Sequence, residues 1–207
     1  LIAYRMGSAI AAFMAASPKV RIHLKAFNRP VDVIREGFDV VICAGEPRVD
    51  SASLVMRKLG EVSQCLVAAP ALLESRQAPA IPSDLAGMPA IGLGSNLTTG
   101  GAEHIEWVLT HESGSTASIP ADPRLLTDDL AALRAAALAG IGIAQMPNLM
   151  IEADVADGRL VMLLPHWGSR NLPVHAVFPS RRGLLPSIRA LIDHLAGDCQ
   201  PYRFGTA

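Results

Sequence analysis

Three short stretches of the chain place small or polar residues directly after apolar runs that favour β-strands. In open α/β sheets, ligands bind outside the carboxyl ends of the strands, close to helix N-termini. Small residues there let a ligand approach the backbone, and hydroxyl and amide groups beside helix N-terminal N–H groups suit a carboxylate. The candidate ligand-binding residues are Ala44, Gly45 and Glu46 after "DVVIC"; Ser95, Asn96 and Thr98 in "GSNLTTG"; and Thr127 with Gln145, Met146 and Pro147.

The same residues also have purely structural explanations, which stay open at this point. "GSNLTTG" is typical of a solvated loop, Thr127 of a helix cap, and Met146 of a flexible core filler. A strand that ends on Met146-Pro147 would instead bring an adaptable methionine to the wall of a cleft. The residue types therefore favour a binding edge without excluding ordinary packing.

Other patterns do not favour catalysis, a metal or a cofactor. The six histidines lack metal-ligand spacing, so no metal site is predicted. "GIGIAQ" begins like a dinucleotide fingerprint, but Gln145 replaces the third glycine and the helix precedes the motif, so no cofactor is predicted. One alternative function is a hydrolase that uses Ser95 or Cys43 with a histidine, although no motif places a base or an orienting carboxylate. We therefore assign no catalytic residue and expect that the chain is not an enzyme.

Composition and charge limit the class of protein. Of the 207 residues, 50% are apolar and 18% are charged, which is typical of a globular chain with a large core. The net charge of −1 gives no reason to expect nucleic-acid binding by this segment, and no apolar run approaches the roughly 18 residues that cross a membrane. Cys43, Cys65 and Cys199 form no CxxC pair, which favours free thiols in the cytoplasm. The start carries neither an initiator methionine nor a secretory signal, so we expect a fragment of a longer cytoplasmic protein.

The elements that must position the candidate residues alternate between helices and strands, which predicts an α/β fold with parallel strands. In the first part of the chain, the pattern predicts a helix over "SAIAAFMAASPKV" that ends before Pro18, followed by a half-buried strand over "VRIHLKA". It then predicts a short helix over "RPVDVIREGF" that ends at Gly37, and a strand buried on both faces over "DVVICAG". Further strands are predicted in "RKLGEVSQCLVAAP" (two strands), "PAIGL", the hairpin "EWVLTHESGSTASIPA", "GRLVMLLP" and "PVHAVFP", and further helices in "ALLESRQ", "SDLAG" and "PSIRALIDHLAG".

The clearest helix signal lies over "TDDLAALRAAALAG" in the second half of the chain. Thr127 is expected to cap this helix, the two aspartates that follow favour its first turn, and Gly140 ends it. Gly140 and Gly142 permit a tight return into the next strand, which ends on Met146-Pro147.

The order of the elements indicates two lobes. The middle of the chain holds its own set of strands and helices. The last segment is a lone strand and helix, which has little to pack on unless it returns to the first unit. Two lobes joined by two crossing strands, with a cleft between them, would follow. We place lobe I at residues 1–69 with 175–207, and lobe II at residues 70–174.

Five stretches together resemble the LysR-type transcriptional regulators, in the order and spacing of that family. Any one of them is a weak signal, whereas five in the right order are specific. They are "RPVDVIREGFDVVICAGEP", "RKLGEVSQCLVAAPALLE", "IPSDLAGMPAIGL", "TDDLAALRAAALAGIGIAQMPNLMIEADVADGRLVMLLP" and "PVHAVFPSRRGLLPSIRALIDHLA". The resemblance covers nearly the whole chain.

The resemblance implies the effector-binding domain of such a regulator. Its fold would be two Rossmann-like α/β lobes joined by two crossover strands, related to type 2 periplasmic binding proteins. The effector, a small carboxylate or aromatic metabolite, would lie in the interlobe cleft, because the family positions that correspond to the candidate residues border the effector.

The family also implies partners. DNA would be contacted only through an N-terminal winged helix-turn-helix, which nothing in this sequence matches, and the domain would form a homodimer or tetramer. The family's first strand of this domain has no counterpart here either, because "AIAAFMAASP" aligns with the family's first helix.

The leading alternative is a solute-binding protein of an uptake system, which would have the same lobes and the same cleft. It would need export, whereas the cysteines favour the cytoplasm. The codons upstream of Leu1 separate the two functions: a winged helix-turn-helix favours the regulator, and a signal peptide favours transport.

Overall fold

The structure is a computed structural model, and it describes residues 2–27, 29–45, 53–74, 76–94, 104–169, 171–180 and 185–198. The chain forms two compact units. Unit 1 consists of Leu1–Val62 with Asn171–Ala207, and unit 2 of Ser63–Arg170. The chain therefore passes from one unit to the other twice. None of the helices in the described ranges combines the length and the apolar character needed to span a bilayer.

The described ranges contain five α-helices and eleven strands. The helices are α1 Ile2–Ala16, α2 Pro70–Leu73, α3 Leu130–Leu138, α4 Asn148–Ala156 and α5 Pro186–Asp198, with a 3-10 helix over Pro82–Leu85. The strands are β1 Val41–Ala44, β2 Leu54–Val62, β3 Gln64–Ala68, β4 Ala90–Leu93, β5 Ile105–His111, β6 Thr116–Ala121, β7 Pro123–Thr127, β8 Ala144–Pro147, β9 Val161–Leu163, β10 Trp167–Gly168 and β11 Leu172–Pro179.

Unit 1 is built on a three-stranded sheet in the order β1-β11-β2, in which both pairs are antiparallel. α1 packs against α5. Ile10 and Phe13 of α1 and Leu195 of α5 are buried, and a ring nitrogen of His194 lies 3.0 Å from the carbonyl oxygen of Ala9. The apolar face of α1 is therefore covered within unit 1.

Unit 2 contains strands that run in one direction toward a common edge. β3 lies between β8 and β9 and is antiparallel to both, while β4 and β7 are parallel. A parallel bridge between Ala90 and Ile143 joins β4 to the residue just before β8. Ile91 N–H donates to the Ile143 carbonyl at 2.9 Å, and Ile143 N–H donates to the Pro89 carbonyl at 2.8 Å. β4, β7 and β8 thus point the same way.

The third sheet of unit 2 has the order β10-β5-β6 and covers the core on one face. Trp107 and Leu109 are buried whereas Val108 between them is exposed, which is the alternation of a half-buried strand. The predicted hairpin over "EWVLTHESGSTASIPA" is confirmed. The core cluster of unit 2 consists of Leu66, Ala68, Leu85, Ala90, Trp107, Leu109, Ala121, Ile143, Leu163 and Leu164.

The return from α3 into β8 depends on two glycines. Gly140 has a φ of +71°, and its N–H donates to the Ala137 carbonyl at 3.0 Å, so the helix ends there as predicted. A Cβ on Gly142 would lie 2.9 Å from the carbonyl carbon of Ala90 and 3.0 Å from the carbonyl oxygen of Pro89. Glycine at 142 therefore permits the close approach of two backbones, and the predicted tight return is confirmed.

The predicted parallel arrangement is wrong for most strand pairs. β4 and β7 are parallel, whereas the pairs that β11 makes with β1 and β2, and those that β3 makes with β8 and β9, are antiparallel. Alternation of helices and strands along a chain does not determine which strands become neighbours. In unit 1 the central strand arrives from the far end of the chain, which the local pattern does not encode.

Two elements predicted in the first part of the chain are wrong. "VRIHLKA" forms no strand, since no described strand pairs with it, and Leu24 is 52% exposed. "RPVDVIREGF" forms turns instead of a helix, closed by a hydrogen bond of 3.0 Å from Phe38 N–H to the Val33 carbonyl. The chain still reverses at Gly37, which has a φ of +72°.

The strand predicted in "DVVICAG" is found as β1, but it is not buried on both faces. Val41, Ile42 and Cys43 are half-buried and Ala44 is exposed. Among the described strands, β1 pairs with β11 alone, so it lies at the edge of the sheet instead of inside it.

The cap of α3 was assigned to the wrong residue. The Asp129 carboxylate accepts a hydrogen bond from Ala131 N–H at 2.7 Å and is the N-cap. The Thr127 hydroxyl oxygen accepts from Asp129 N–H at 3.0 Å. Thr127 thus lies at the end of β7 and orders the capping residue. α4, β7 and β10 have no counterpart among the elements predicted from the sequence.

The boundaries of the two units lie a few residues earlier than those of the predicted lobes. The predicted lobe I is residues 1–69 with 175–207, and the predicted lobe II is residues 70–174. β3 lies in unit 2 because it pairs with β8 and β9. The first residues of β11 lie in unit 1 because they pair with β2.

Candidate functional site

The carboxyl ends of β4, β7 and β8 meet at one edge of unit 2, here named the carboxyl edge and formed by Gly94, Thr127 and Pro147. Leu93 is paired with Thr127, and Gly94 N–H donates to the Thr127 carbonyl at 3.1 Å. β8 is held parallel to β4 by the bridge before it, so it delivers Pro147 to the same edge. Such an edge is where α/β sheets bind ligands.

Thr127 presents a hydroxyl group at this edge. Its side-chain oxygen accepts the hydrogen bond from Asp129 N–H at 3.0 Å, which leaves the hydroxyl hydrogen able to donate. The residue is half-buried. A half-buried hydroxyl with a donor to spare suits a carboxylate or carbonyl oxygen.

The three candidate residues of β8 differ in their accessibility. Met146 is fully buried, and its backbone is paired with that of Cys65 in β3. Pro147 is buried as well, whereas Gln145 is half-buried. Of these three, Gln145 is therefore the residue that a ligand can reach, and Met146 belongs to the packing of unit 2.

Four candidates, Glu46, Ser95, Asn96 and Thr98, lie outside the described residues. The last described residue before Ser95 is Gly94, which is hydrogen-bonded to Thr127.

The remaining two candidates lie at the carboxyl end of β1 in unit 1. Ala44 is exposed, and Gly45 has a φ of +93°. Gly45 N–H donates to the Pro173 carbonyl at 2.8 Å, and a ring nitrogen of His175 lies 3.2 Å from the Gly45 carbonyl oxygen. The backbone that follows β1 is therefore fixed to β11.

A buried amide, which is not among the residues predicted from the sequence, lies next to the carboxyl edge. Asn148 begins α4 and is 9% exposed. Its N–H donates to the Ser63 carbonyl at 3.1 Å, and its Nδ2 donates to Ser63 Oγ at 2.9 Å. Its Oδ1 is buried and has no hydrogen-bond partner in the described part of the chain. The only sequence signal for it is a polar residue directly after the predicted strand end.

Two hydrogen bonds join residues of unit 2 that lie next to the two positions where the chain passes between the units. Gln64 N–H donates to Ser169 Oγ at 3.1 Å, and Ser169 N–H donates to the Gln64 carbonyl at 3.2 Å. Gln64 directly follows Ser63, the partner of Asn148. Both passages are therefore tied to the first residues of β3.

A buried ion cluster fixes α4 to α3. The Asp154 carboxylate is fully buried and accepts hydrogen bonds from Arg134 Nε at 2.6 Å and Nη2 at 2.7 Å. Arg159 Nη2 lies 2.7 Å from the same carboxylate. Since α4 starts at Asn148, this cluster helps to position the amide next to the carboxyl edge.

The two cysteines that the structure describes, Cys43 and Cys65, offer no activated nucleophile. Burial raises the pKa of the Cys65 thiol to about 12, and burial also raises the pKa of Cys43. A thiol with a raised pKa stays protonated at neutral pH and reacts slowly. In the ranges that the structure describes, no three His, Cys, Asp or Glu side chains form a group that could hold a metal ion.

Comparisons with known proteins give a consistent result. Residues 1–200 match the family described as "LysR substrate binding domain". The chain is 30% identical over 195 residues to the HTH-type transcriptional regulator PtxR of Pseudomonas aeruginosa, covering 94% of this chain and 60% of that protein. It is 28% identical over 199 residues to the uncharacterized HTH-type transcriptional regulator YhjC of Escherichia coli, covering 92% and 62%. The chain thus spans about three fifths of the length of these curated relatives.

Solved structures extend the likeness to the fold. The full-length Vibrio cholerae virulence activator AphB, a member of the LTTR protein family, matches with a TM-score of 0.80 at 28% identity, covering 95% of this chain and 64% of that chain. The regulatory domain of AphB in Vibrio vulnificus matches with a TM-score of 0.77 at 27% identity, covering 95% and 93%. The match therefore covers almost all of an isolated regulatory domain.

Proposed function

Because the chain belongs to the family of LysR substrate-binding domains and has their type 2 periplasmic-binding-protein-like fold, we propose that its carboxyl edge binds a small carboxylate or aromatic effector. As a member of this family the chain is an effector-binding regulatory domain. The proposal concerns the place and the chemistry of binding. That the effector lies in a cleft between two lobes stays a prediction.

The observation that carries the proposal is the convergence of three parallel strand ends on Thr127, Gln145 and the start of α4. α4 begins directly after Pro147, which is its N-cap and provides no side-chain hydrogen bond. A helix start without a side-chain cap leaves backbone N–H groups and a partial positive charge for an anion. Thr127 and Gln145 are half-buried, and each adds a polar side chain to a strand that ends at this edge.

The effector would act by differential binding. A metabolite that favours one arrangement of the regulator over another shifts the population of that arrangement. A tenfold change in DNA affinity requires a difference of about 1.4 kcal/mol between the two arrangements. The DNA itself would be contacted by a winged helix-turn-helix, which the regulator relatives suggest for the whole protein, and the protein would act in the cytoplasm.

The comparisons favour this function over the two alternatives. The relatives are transcriptional regulators and not uptake proteins, so a solute-binding protein of an uptake system is not favoured. Regulators of this kind are not enzymes, and the raised thiol pKa of Cys43 argues against it as a nucleophile. We therefore infer a binding function without catalysis.

Alanine substitutions test the carboxyl edge. Thr127→Ala is expected to weaken binding of a small carboxylate without unfolding the chain, because it removes the hydroxyl at the end of β7. Ser95→Ala is expected to do the same, because the sequence makes "GSNLTTG" a candidate binding segment. The measurement is titration calorimetry with the carboxylate that gives the largest thermal shift, where saturation at about 100 times the dissociation constant adds about 2.7 kcal/mol of stability. Thr116→Ala, on the exposed side of β6, is the matched control. Unchanged affinity in both edge variants would contradict the proposed place.

A further inference from the structure

We propose that Asn148 is a hydrogen-bond acceptor for the effector, which would then be a 2-hydroxy or 2-amino carboxylate. The inference rests on the proposed function of the carboxyl edge and narrows the class of molecule that binds there. It starts from the one buried side-chain oxygen in the described part of the chain that has no hydrogen-bond partner, Asn148 Oδ1.

An unpaired acceptor of this kind calls for a donor. Roughly nine in ten buried polar groups in native proteins are hydrogen-bonded, and leaving an acceptor unpaired is costly because it has lost its water. Asn148 is 9% exposed, so bulk water does not compensate Oδ1. A donor that arrives with the effector would satisfy it.

The two ends of the Asn148 amide are not equivalent. Nδ2 donates to Ser63 Oγ at 2.9 Å, and the backbone N–H of Asn148 donates to the Ser63 carbonyl at 3.1 Å. Ser63 thus holds the residue from one side, because it accepts from the backbone N–H and from one of the two N–H groups of Nδ2. The atom without a partner is the acceptor Oδ1, and an O–H or N–H on the ligand can pair with it.

The position of Asn148 adds a second requirement. It is the first residue of α4, a helix of nine residues whose N-cap Pro147 gives no side-chain hydrogen bond. The helix start therefore attracts a carboxylate, while Oδ1 of its first residue needs a donor. A molecule that carries a carboxylate and a hydroxyl or amino group on adjacent carbons meets both requirements at once.

Burial also dictates how the contact forms. Because Oδ1 is buried in the free chain, contact with the ligand requires the Asn148 side chain to move, which loosens its bond to Ser63 Oγ. Removing the Ser63 hydroxyl would make this movement easier. Asn148→Leu and Ser63→Ala should therefore have opposite effects on binding, although both remove the same hydrogen bond.

The test uses matched pairs of probes that differ by one hydroxyl. They are L-malate against succinate, and L-mandelate against phenylacetate. In titrations of the chain, we expect at least one hydroxy acid to bind about tenfold more tightly than its partner, since a site built to pair a hydroxyl rejects the analogue that lacks it.

Asn148→Leu should abolish this preference without lowering the melting temperature of the free chain, because it removes the unpaired oxygen. Ser63→Ala should keep or increase the preference. Asn171→Leu, whose Nδ2 donates to Glu61 on the surface of unit 1, is the control and should leave it unchanged.

The outcomes separate this inference from the proposed function. Equal binding of hydroxy and deoxy acids to the wild type would overturn the inference and leave the proposed function standing. A preference that survives Asn148→Leu, together with a lower melting temperature, would mean that Asn148 is satisfied by a buried water and only supports the fold, which also overturns the inference. If none of the four probes binds at millimolar concentration, the proposed function fails for this class of ligand and the inference fails with it.

Discussion

At the scale of single residues, the two arginines around Asp154 differ in what they contribute. The side chain of Arg134 is 25% exposed and makes two hydrogen bonds to the fully buried carboxylate. The side chain of Arg159 is 51% exposed and also lies 3.4 Å from Asp157. A charge interaction is worth more where water does not screen it, so Arg134 should be the more important partner.

We expect Arg134→Leu to lower the free energy of unfolding by about 3 kcal/mol, because it leaves a buried carboxylate with one of its two arginines. Arg159→Leu should cost about 1 kcal/mol or less, as expected of a half-exposed pair. Urea unfolding measures both through the shift of the midpoint at an unchanged slope. Equal losses in the two variants would contradict this ranking.

The sequence predicted some residues of the carboxyl edge but not the buried ones beside it. Thr127 and Gln145 could be placed because each follows or ends a recognisable apolar run. Asn148 could not, since its burial depends on Ser63, which is 85 residues earlier in the chain. The cap of α3 shows a related limit: Thr127 and Asp129 are both good capping residues, and only the geometry decides that Asp129 fills the position.

At the scale of the elements, Gly142 allows the strand after α3 to approach β4. A Cβ there would collide with backbone atoms of Pro89 and Ala90, which cannot move aside as a side-chain end can. We expect Gly142→Ala to lower the free energy of unfolding by about 1–3 kcal/mol, in the range of overpacked cores. Thermal unfolding measures the loss.

A second glycine provides the control for this prediction. Gly197 lies on the exposed side of α5, and a Cβ there would meet no atom within 4 Å. Gly197→Ala should be neutral or stabilising by up to about 1 kcal/mol, because it restricts the unfolded chain. If the two alanine variants unfold at the same temperature, the close approach at Gly142 does not matter for stability.

Most elements followed from the sequence, whereas their partners did not. Apolar periodicity and turn residues located the hairpin of β5 and β6 and the helices α1, α3 and α5. The direction of pairing was wrong because it depends on strands far apart along the chain, as with β1 and β11. "VRIHLKA" has the alternation of a strand but no described partner, which shows that alternation reports on side chains and not on backbone pairing.

At the scale of the whole molecule, unit 1 exposes apolar residues on its outer strand. β2 pairs with β11 alone among the described strands, and Val55 and Met56 on it are 40% and 48% exposed. Exposed apolar groups on an edge strand favour association.

We expect the chain to sediment as a dimer at tens of micromolar, and Met56→Lys to weaken the dimer without changing the melting temperature. Val108→Lys, at an equally exposed position of unit 2, is the control. Sedimentation as a monomer at all concentrations would exclude this surface.

The division of the chain determines which parts can fold alone. Unit 2 is continuous, Ser63–Arg170, and its core cluster and its strand pairs lie within that range. Unit 1 is assembled from both ends of the chain, and its central strand β11 belongs to the second piece. Without β11, neither β1 nor β2 has a described neighbour in the sheet, and their backbone groups lose their partners.

We therefore expect a fragment of residues 63–170 to fold cooperatively, with dispersed amide resonances and a sharp thermal transition. A fragment of residues 1–62 should remain unfolded on its own, because the strand that joins its two strands is missing and α1 lacks α5 to cover its apolar face. Adding residues 171–207 as a separate peptide should restore strand signal to the second fragment by circular dichroism. Cooperative folding of residues 1–62 alone would show that this segment does not need β11 and α5. A disordered 63–170 fragment would show that unit 2 depends on contacts outside its own range.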